Sequence, residues 1–368
     1  MQDIIFYIFI GITVIQLFYY LGVFGKFSFA KSQTTTSKKI PVSVIVCAKN
    51  EAEKVTELVP LLAAQNYSDF EIVLIDNASS DGTLDIFEKF EQTYKNIKLV
   101  TVENNEAFWG NKKYALTLGI KAASKEYLLF TDADCLPTSK DWIAQMSSQF
   151  TLNKTITLGY SSYEKIKNSF LNKIIRFDAV LIATQYFAWA KSGHPYTGNG
   201  RNLAYKKEEF FKVNGYIDHM NIRIGEDSLF INQTANKENT AICFTPDSFT
   251  QYQAKKTFKS WFKLKRKQDF SSNFFRPFDK LQLKLYNLSQ LLFLVLAVTL
   301  LALQYNWKVL VPIIVIRYIV AWLTFGYSAA KLEEKDTTYW FPFIEIILIF
   351  TRVNVLFTNM FSKPVHWK

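Results

Sequence analysis

Two aspartates, Asp132 and Asp134, follow a hydrophobic stretch in the segment YLLFTDADCLP, residues 127–137. The run Tyr127–Phe130 predicts a buried strand, and the chain becomes acidic directly after it. At the end of a strand, two carboxylates spaced two residues apart can both reach one divalent cation. Such oxygen ligands suit Mg²⁺ or Mn²⁺. A D-x-D pair alone is common in solvated turns, so the neighbouring motifs must decide its role.

The composition indicates a protein that contacts a membrane and an anionic partner. The 368 residues suffice for one or two domains with a full core, and 49% of them are hydrophobic, including 33 Phe and 19 Tyr. The net charge of +11 fits nucleic acid, anionic lipid or a phosphorylated substrate equally well.

The segment Ile4–Phe24 is uncharged and long enough to cross the roughly 30 Å hydrocarbon layer of a bilayer. Because Asp3 precedes it and no small-residue cleavage site follows, we expect a retained anchor and not a cleaved signal peptide. Four lysines come just after this segment: Lys26, Lys31, Lys38 and Lys39. By the positive-inside rule they place the following domain in the cytoplasm.

Predicted strands and helices alternate four times after the anchor. The strands are Val42–Ala48, Glu71–Ile75, Ile97–Val102 and Tyr127–Phe130. Helices are predicted from about residue 51 to 65, after 83, and from about 111 to 124. This alternation predicts a parallel sheet that binds ligands at the carboxyl ends of its strands. Polar pairs stand at three of those ends: Asn50/Glu51, Asp76/Asn77 and Asp132/Asp134.

Two common nucleotide-binding motifs are absent from the sequence. No G-x-G-x-x-G follows the first strand, and no G-x-x-x-x-G-K-[ST] occurs anywhere. A dinucleotide-binding Rossmann enzyme and a P-loop NTPase are therefore disfavoured. A nucleotide site built from carboxylates and a metal remains.

The segments VSVIVCAKNEA, EIVLIDNASSDGT, GNKKYALTLGI and YLLFTDADC occur in this order. In order and spacing they resemble the nucleotide-binding half of family-two glycosyltransferases, and the resemblance extends through most of residues 40–270. It implies an α/β GT-A fold, with a mostly parallel, Rossmann-like sheet and flanking helices, here joined to transmembrane helices. It also implies a nucleotide-sugar donor whose diphosphate binds Mg²⁺ or Mn²⁺ at the D-x-D acids.

The resemblance assigns the donor site residue by residue. Four residues would line the pocket for the base and ribose: Ala48, Asn50, Glu51 and Asp76. Of these, Asp76 would hydrogen-bond the base. Lys112 would face the phosphates, with an exposed helix lysine as the alternative. Asp132 would lie near the ribose and metal, and Asp134 would be the stronger metal ligand. Asn77 replaces a frequent second Asp of the family, so we do not expect it to bind the metal.

The acceptor side is implied by two later segments. Within Ser192–Tyr216, Gly200 and Asn202 match the family's acceptor-side pattern, and Glu226 is assigned to the same side. Asp227 matches the family's general base. Transfer with inversion needs a carboxylate to take the proton of the acceptor hydroxyl as it attacks C1. The alternative for Asp227 is an N-cap of the following helix.

The segment Glu164–Lys191 predicts a helix by the spacing of its apolar residues. We expect a core helix with a solvated basic face, or alternatively a helix lying on the bilayer surface.

The segment Lys255–Arg276 is strongly basic and aromatic. It lacks RNA- and DNA-binding patterns, so we expect no nucleic-acid partner. Family members often carry Q-x-x-R-W here, but this chain has Lys263, Arg266 and Lys267 in that region. We expect Arg266 to pair with the donor phosphate and transfer of a single sugar rather than processive synthesis. Binding to anionic lipid is the alternative, and the two are compatible.

Three further apolar segments end the chain: Leu288–Gln304, Val309–Phe325 and Trp340 to about Met360. The first two predict a helical hairpin, whereas the third either spans the membrane or lies at its surface. Arg317 falls in the middle of a span, where we expect it to face protein or a lipid phosphate, with snorkelling or bundle packing as the simpler alternative.

The expected organisation is an anchor, a linker, a GT-A catalytic domain, a basic interface segment and C-terminal membrane segments, at residues 1–25, 26–39, 40–254, 255–285 and 286–368. We expect a multi-pass membrane protein with a cytoplasmic catalytic domain. Its expected activity is metal-dependent, inverting transfer of a hexosyl or N-acetylhexosaminyl group from a nucleotide-sugar to a lipid-linked or membrane-proximal glycan acceptor, in cell-envelope polysaccharide or glycolipid synthesis. Polyprenyl phosphate is the second acceptor, and a catalytically silent membrane scaffold is the alternative outside the enzyme class.

Overall fold

The computed structural model describes residues 2–31, 38–103, 112–222 and 224–362. Part of the predicted linker and the predicted helix start at residue 111 lie outside these residues. The chain divides into two compact units. The first unit comprises Met1–Lys31, Asn168–Ser192 and Lys255–Pro364. The second unit is formed mainly by Ser32–Lys167 and Gly193–Ala254.

The second unit is built on a seven-stranded sheet of order β3-β2-β1-β4-β8-β6-β9. Its strands are β1 Val42–Ala48, β2 Phe70–Asp76, β3 Ile97–Thr101, β4 Tyr127–Asp132, β6 Ile156–Leu158, β8 Leu203–Lys206 and β9 Thr240–Ile242. The strands β1 to β4 are parallel, and β8 pairs antiparallel with β4 and β6. The predicted α/β fold with a mostly parallel sheet is confirmed.

Helices and a smaller sheet complete the second unit. The helices are α3 Ala52–Ala63, α4 Thr83–Thr93, α5 Lys112–Ala122, α6 Trp142–Ser147, α8 Lys207–Lys212 and α9 Glu226–Thr234. The three-stranded sheet contains β5 Cys135–Pro137, β10 Thr250–Tyr252 and β7 Ser161–Tyr163. Along α3, Val55, Leu58 and Leu62 recur at helical spacing and are fully buried in the core that includes β1 and β2.

The register of the sheet brings the predicted polar pairs to one edge. Ala48 at the end of β1 lies opposite Asp76 at the end of β2, and Cys47 lies opposite Asp132 at the end of β4. Because these strands are parallel, their carboxyl ends share one edge of the sheet.

The first unit is helical. An N-terminal helix is continuous from α1 Gln2–Leu17 through a π-helical turn, Phe18–Phe24, into α2 Gly25–Ser28. The remaining helices are α7 Phe170–Lys191, α10 Phe258–Ser272, α11 Pro277–Ala302, α12 Trp307–Lys331 and α13 Phe341–Phe361. Four helical segments of the described chain are long and apolar enough to cross a membrane: Gln2–Ser28, Pro277–Ala302, Trp307–Lys331 and Lys335–Phe361.

The helix predicted for Glu164–Lys191 begins later and packs differently than expected. Asn168 has a φ of 58°, and the hydroxyl of Ser169 accepts a hydrogen bond from the Asn172 amide at 3.2 Å, which caps α7 at this point. The basic face is not fully solvated, because Arg176 is buried and pairs with Glu334 and Asp336. The helix also belongs to the first unit, although the predicted catalytic domain, 40–254, includes it.

Arg317 faces protein, one of the two environments expected for it. It is 1% exposed, and its guanidinium donates to both carboxylate oxygens of Glu345 at 2.8 and 2.7 Å and to Gln16 at 2.6 Å. An ion pair with further hydrogen bonds compensates the removal of this charge from water. The pair therefore connects α12 to α13.

Candidate active site

A lysine joins two carboxylates at the edge of the large sheet. The Lys112 ammonium, in the first turn of α5, lies 2.7 Å from Asp132 Oδ1 and 2.8 Å from Glu226 Oε1. Asp132 ends β4 and Glu226 begins α9, so three elements converge on one cation. The three side chains are largely buried, which strengthens their mutual attraction.

The charges of this group stabilise each other. Burial opposes ionisation of Asp132, but the charges of Lys112 and Arg201 outweigh it and lower the pKa of Asp132 to about 2. Burial likewise opposes ionisation of Glu226, and Lys112 lowers the pKa of that carboxyl below its usual value. Both carboxylates are therefore ionised at neutral pH.

Asp227 differs from its neighbours because backbone groups, not a cation, hold its carboxylate. Its Oδ2 accepts from the Gly200 amide at 2.6 Å and its Oδ1 from the Ser228 amide at 2.7 Å. Burial and the adjacent charge of Glu226 raise the pKa of Asp227 above the usual value. The N-cap residue of α9 is Gly225, with a φ of 76°, so the alternative assignment of Asp227 as an N-cap is wrong. Asp227 thus combines a fixed orientation with increased basicity.

Gly200 approaches Asp227 so closely that a side chain would disturb it. A Cβ at position 200 would lie 3.1 Å from both Cβ and Oδ2 of Asp227. We predict that Gly200→Ala lowers the rate of catalysis about 10- to 100-fold, because a small displacement of a positioned catalytic group has effects of this size. The measurement is kcat at saturating donor, with thermal unfolding as the control for folding. An unchanged kcat would contradict the assigned geometry.

Arg201 is a site residue that the sequence interpretation missed. Its Nε lies 3.4 Å from Asp132 Oδ2 and 3.6 Å from Asp134 Oδ1, and its guanidinium lies over the Tyr252 ring at 4.2 Å. Within the described chain, this buried Nε has no hydrogen-bond partner. Its position between Gly200 and Asn202, in a glycine-containing loop, was the signal that could have identified it.

Asn202 is buried and makes hydrogen bonds inside the protein, and its assignment to the acceptor side stays a prediction. It is 0% exposed, its Nδ2 donates to the Tyr160 and Ser248 carbonyls at 2.8 and 2.6 Å, and its Oδ1 accepts from Trp142 Nε1 at 3.1 Å. Because its amide is used inside the protein, it fixes the loop that carries Gly200 and Arg201.

The predicted base and ribose pocket lies where β1 and β2 end. The Ala48 carbonyl accepts from the Asn77 amide at 2.9 Å, and Asn50, with a φ of 56°, accepts from the Ser80 amide through Oδ1 at 2.7 Å. The Glu51 amide donates to Thr83 Oγ1 at 2.9 Å. These bonds order the loop after β2.

Asp76 presents an unused acceptor beside that loop. The carboxyl group is buried, and its Oδ2 accepts from the Ser79 amide at 3.2 Å. Its Oδ1 has no hydrogen-bond partner in the described part of the chain. A buried carboxylate oxygen in this state is suited to accept a hydrogen bond from a ligand.

A cavity of about 30 Å³ brings five of the other predicted residues together, and Asp134 is not part of its lining. Its lining includes Lys112, Asp132, Gly200, Glu226 and Asp227. These residues come from separate segments of the second unit.

Arg266 is engaged elsewhere in the first unit. Its Nε donates to Asn359 Oδ1 at 2.9 Å, and its terminal nitrogen donates to the Ser362 carbonyl. Its predicted contact with the donor stays a prediction.

The D-x-D carboxylates have a suitable chemistry for a divalent cation. Among the described residues there is no group of three or more His, Cys, Asp or Glu side chains arranged to hold a metal. Mg²⁺ and Mn²⁺ can be held by one or two carboxylates when a diphosphate supplies other ligands. Asp132 faces two cations closely, whereas Asp134 has Arg201 at 3.6 Å, which leaves Asp134 the more available ligand.

Comparison with known proteins finds a family match for part of the chain. Residues 43–222 match the model of glycosyl transferase family 2. Glycosyltransferase AglE of Haloferax volcanii is 32% identical over 104 residues, which cover 28% of this chain and 33% of the relative. The Escherichia coli UDP-Glc:alpha-D-GlcNAc-diphosphoundecaprenol beta-1,3-glucosyltransferase WfgD is 30% identical over 131 residues, 35% of this chain and 47% of the relative. The chain thus spans less than half the length of either relative.

A solved structure supports the fold. The mannosyltransferase PcManGT from Pyrobaculum calidifontis, in complex with GDP-Man and Mn²⁺, superposes with a TM-score of 0.56 at 17% identity, covering 88% of this chain and 98% of that one. Together with the sheet topology and the family match, this similarity indicates a GT-A fold. Residues 43–222, just under half of the chain, are therefore a glycosyl transferase family 2 domain.

Proposed function

We propose that this chain is an inverting, metal-dependent glycosyltransferase that moves one sugar from a nucleotide-sugar to a lipid-linked acceptor at a membrane. The observation that carries the proposal is the cavity shared by Lys112, Asp132 and Asp227. A cation for phosphate, a D-x-D acid and a basic carboxylate are the groups that glycosyl transfer from a nucleotide diphosphate requires.

The donor would bind with its base against the loop after β2. Asp76 Oδ1 can accept a hydrogen bond from a base with a ring N–H, as in uracil or guanine. Lys112 and Arg201 lie where their charges can stabilise a diphosphate. Asp134, with Asp132, would hold Mg²⁺ or Mn²⁺, which supplies further positive charge for the departing diphosphate.

Asp227 would act as the general base. Its two oxygens are oriented by the Gly200 and Ser228 amides, and its raised pKa increases its affinity for a proton. It would take the proton of the acceptor hydroxyl while the hydroxyl oxygen forms a bond to C1 and the bond from C1 to the diphosphate breaks. One displacement of this kind inverts the configuration at C1.

The membrane assignment is supported by the four apolar helices. One relative is named for a diphosphoundecaprenol acceptor, which favours an isoprenoid-linked acceptor for this chain as well. The lysines after the first helix favour a cytoplasmic catalytic domain.

We predict that Asp76→Ala weakens nucleotide binding about 10- to 100-fold, since a hydrogen bond to a charged group contributes about 1.5–3 kcal/mol. The Kd for nucleoside diphosphates, measured by calorimetry, tests this. Asp85→Ala removes an exposed acid of α4 and serves as the matched control. Equal Kd values for Asp76→Ala and the wild type would exclude the proposed base contact.

The proposed activity is tested with the full-length chain in membranes. A panel of nucleotide-sugars is supplied with Mn²⁺ or Mg²⁺ and lipid extract, and both sugar transfer and donor hydrolysis are measured. We expect EDTA and Asp134→Asn to reduce both activities strongly, and Asp247→Asn, at an exposed position, to leave them unchanged. Activity that persists in both Asp134→Asn and Asp227→Asn would refute the proposal.

A further inference from the structure

The bundle of apolar helices in the first unit has two distinguishable ends. One end, here called the α7 end, is where α2 and α12 finish. There the hydroxyls of Ser28 and Ser328 form a hydrogen bond of 2.7 Å. Helix α7 packs across this end, with Phe187 against Phe27 and Phe177 against Phe325 at ring distances of 5.0 and 4.1 Å. The far end lies toward the turn between α11 and α12.

Helix α13 starts at the α7 end. The ring of Phe341, its first residue, lies 5.6 Å from Phe177 of α7 and 5.4 Å from Phe325 of α12.

The last turns of α13 lie beside α10. Asn359 donates to Asp269 Oδ2 at 2.8 Å and accepts from Arg266 Nε at 2.9 Å. Helix α10 is itself attached to α7, because Lys265 pairs with Asp178 at 2.8 Å. It carries five basic residues and one acid in FKSWFKLKRKQDFSS, a composition suited to the headgroup region and not to hydrocarbon. Both ends of α13 therefore contact helices attached to the same end of the bundle.

The length of α13 makes this arrangement informative. The 18 residue steps from Phe341 to Asn359 correspond to about 27 Å of helix, close to the thickness of the hydrocarbon layer. A spanning helix that starts at the α7 end would finish at the far end. The apolar cluster there contains Phe9 of α1, Phe293 and Leu300 of α11 and Leu310 of α12, and no described residue of α13.

An aromatic stripe covers the outer face of α13. Phe343, Phe350 and Phe357 recur every seven residues and are 66%, 56% and 55% exposed. On the inner face, Glu345 pairs with Arg317, and Arg352 donates to Gln290 Oε1 at 2.7 Å. A helix with one face held by protein and an aromatic outer face suits the boundary between headgroups and acyl chains.

We propose that α13 lies along the membrane surface at the α7 end and does not cross the bilayer, so that three helices cross and the stripe of Phe343, Phe350 and Phe357 is immersed in lipid. The bilayer is the partner of this surface. The basic residues of α10 beside it favour anionic headgroups. The inference depends on membrane insertion and not on the reaction proposed above.

The side of the membrane reached by the end of α13 tests the proposal. Single cysteines are introduced into the full-length chain at exposed positions: Lys259→Cys on α10, Lys308→Cys at the far end and Ser362→Cys after α13. Sealed vesicles of one orientation are treated with a membrane-impermeant maleimide before and after permeabilisation, with the wild type as the background. We expect the cysteines at positions 362 and 259 to behave alike, both reacting before permeabilisation or both reacting only after it. The cysteine at position 308 should show the other behaviour. Reaction of position 362 together with position 308 would overturn the proposal.

Depth measurements provide an independent readout. Spin labels at Phe343→Cys, Phe350→Cys and Phe357→Cys in liposomes are compared for their relative accessibility to oxygen and to a water-soluble nickel complex. We expect three similar, shallow depths. A helix that crosses would place the middle label about 10 Å deeper than the outer two, given a rise of about 1.5 Å per residue, and that result would refute a surface helix.

Discussion

Asp227→Asn is expected to lower the rate of sugar transfer about 10²- to 10⁴-fold, the usual effect of losing a general base. An amide has no free electron pair basic enough to take the acceptor proton. The donor site should be retained, because Asp227 contacts the Gly200 and Ser228 amides and pairs with none of the cations assigned to the diphosphate. The measurement is kcat with saturating donor and acceptor, together with the Kd of the nucleotide.

The pH dependence of the wild type gives the same assignment a second test. Burial and the charge of Glu226 raise the pKa of Asp227. As the pH is lowered, the rate of transfer should therefore begin to decline at a pH above the range in which carboxylates usually take up a proton. Asp132, with a pKa of about 2, stays ionised throughout that decline. The kcat/KM profile should therefore lose its acidic limb in Asp227→Asn. Asp247→Asn is the control, and a wild-type rate in Asp227→Asn would rule out this residue as the base.

Lys112→Met is expected to reduce the free energy of unfolding by about 3–5 kcal/mol, the cost of leaving buried charges without their partner. The variant removes the cation that lies within 2.8 Å of both Asp132 and Glu226. Arg201 remains near Asp132, at 3.4 Å, but Glu226 loses its ion-pair partner. Urea unfolding of the detergent-solubilised chain measures the effect.

Two further variants distinguish charge from packing at Lys112. Adding Glu226→Gln to Lys112→Met should restore part of the lost stability, because one uncompensated carboxylate is removed. Lys125→Met removes a surface lysine that pairs with the exposed Asp69, and this variant should leave stability nearly unchanged. Equal stability of Lys112→Met and Lys125→Met would contradict the assigned ion pairs.

The Lys112→Met effect should also depend on pH. Without the ammonium, burial should raise the folded-state pKa of Glu226, which has lost its ion-pair partner, above the unfolded-state value. Stability is then fully present below the unfolded pKa and is lost as the pH rises through the folded pKa. The variant should therefore be closest to the wild type at acidic pH.

The strand ends were predictable because their sequence signals are local. Val42–Ala48 is a run of apolar, mostly β-branched residues followed at once by polar ones, and the predicted bounds of β1 are confirmed. Parallel pairing then requires Asp76 and Asp132 to share one edge. The start of α7 was less predictable, since Ile166 continues the helical spacing although Asn168 adopts a positive φ and breaks the helix.

The chemistry of individual side chains depended on contacts between distant segments. The sequence interpretation had no signal that Asn202 would be enclosed by Trp142, Tyr160 and Ser248, which come from three other parts of the chain. Arg201 was missed for the same reason, because the carboxylates beside it are about 70 positions earlier. The orientation of Asp227 by Gly200 likewise exists only after the loop and α9 have packed together.

The membership of α7 in the first unit has a practical consequence for recombinant work. A fragment cut at residues 38 and 254 would retain this 22-residue helix. It would lose α2, α10, α12 and α13, which contact Phe187, Asp178 and Phe177 of the helix. Such a truncation would expose the helix to solvent and favour aggregation during expression. A soluble version therefore calls for excising residues 168–192 as well and closing the gap with a designed connector.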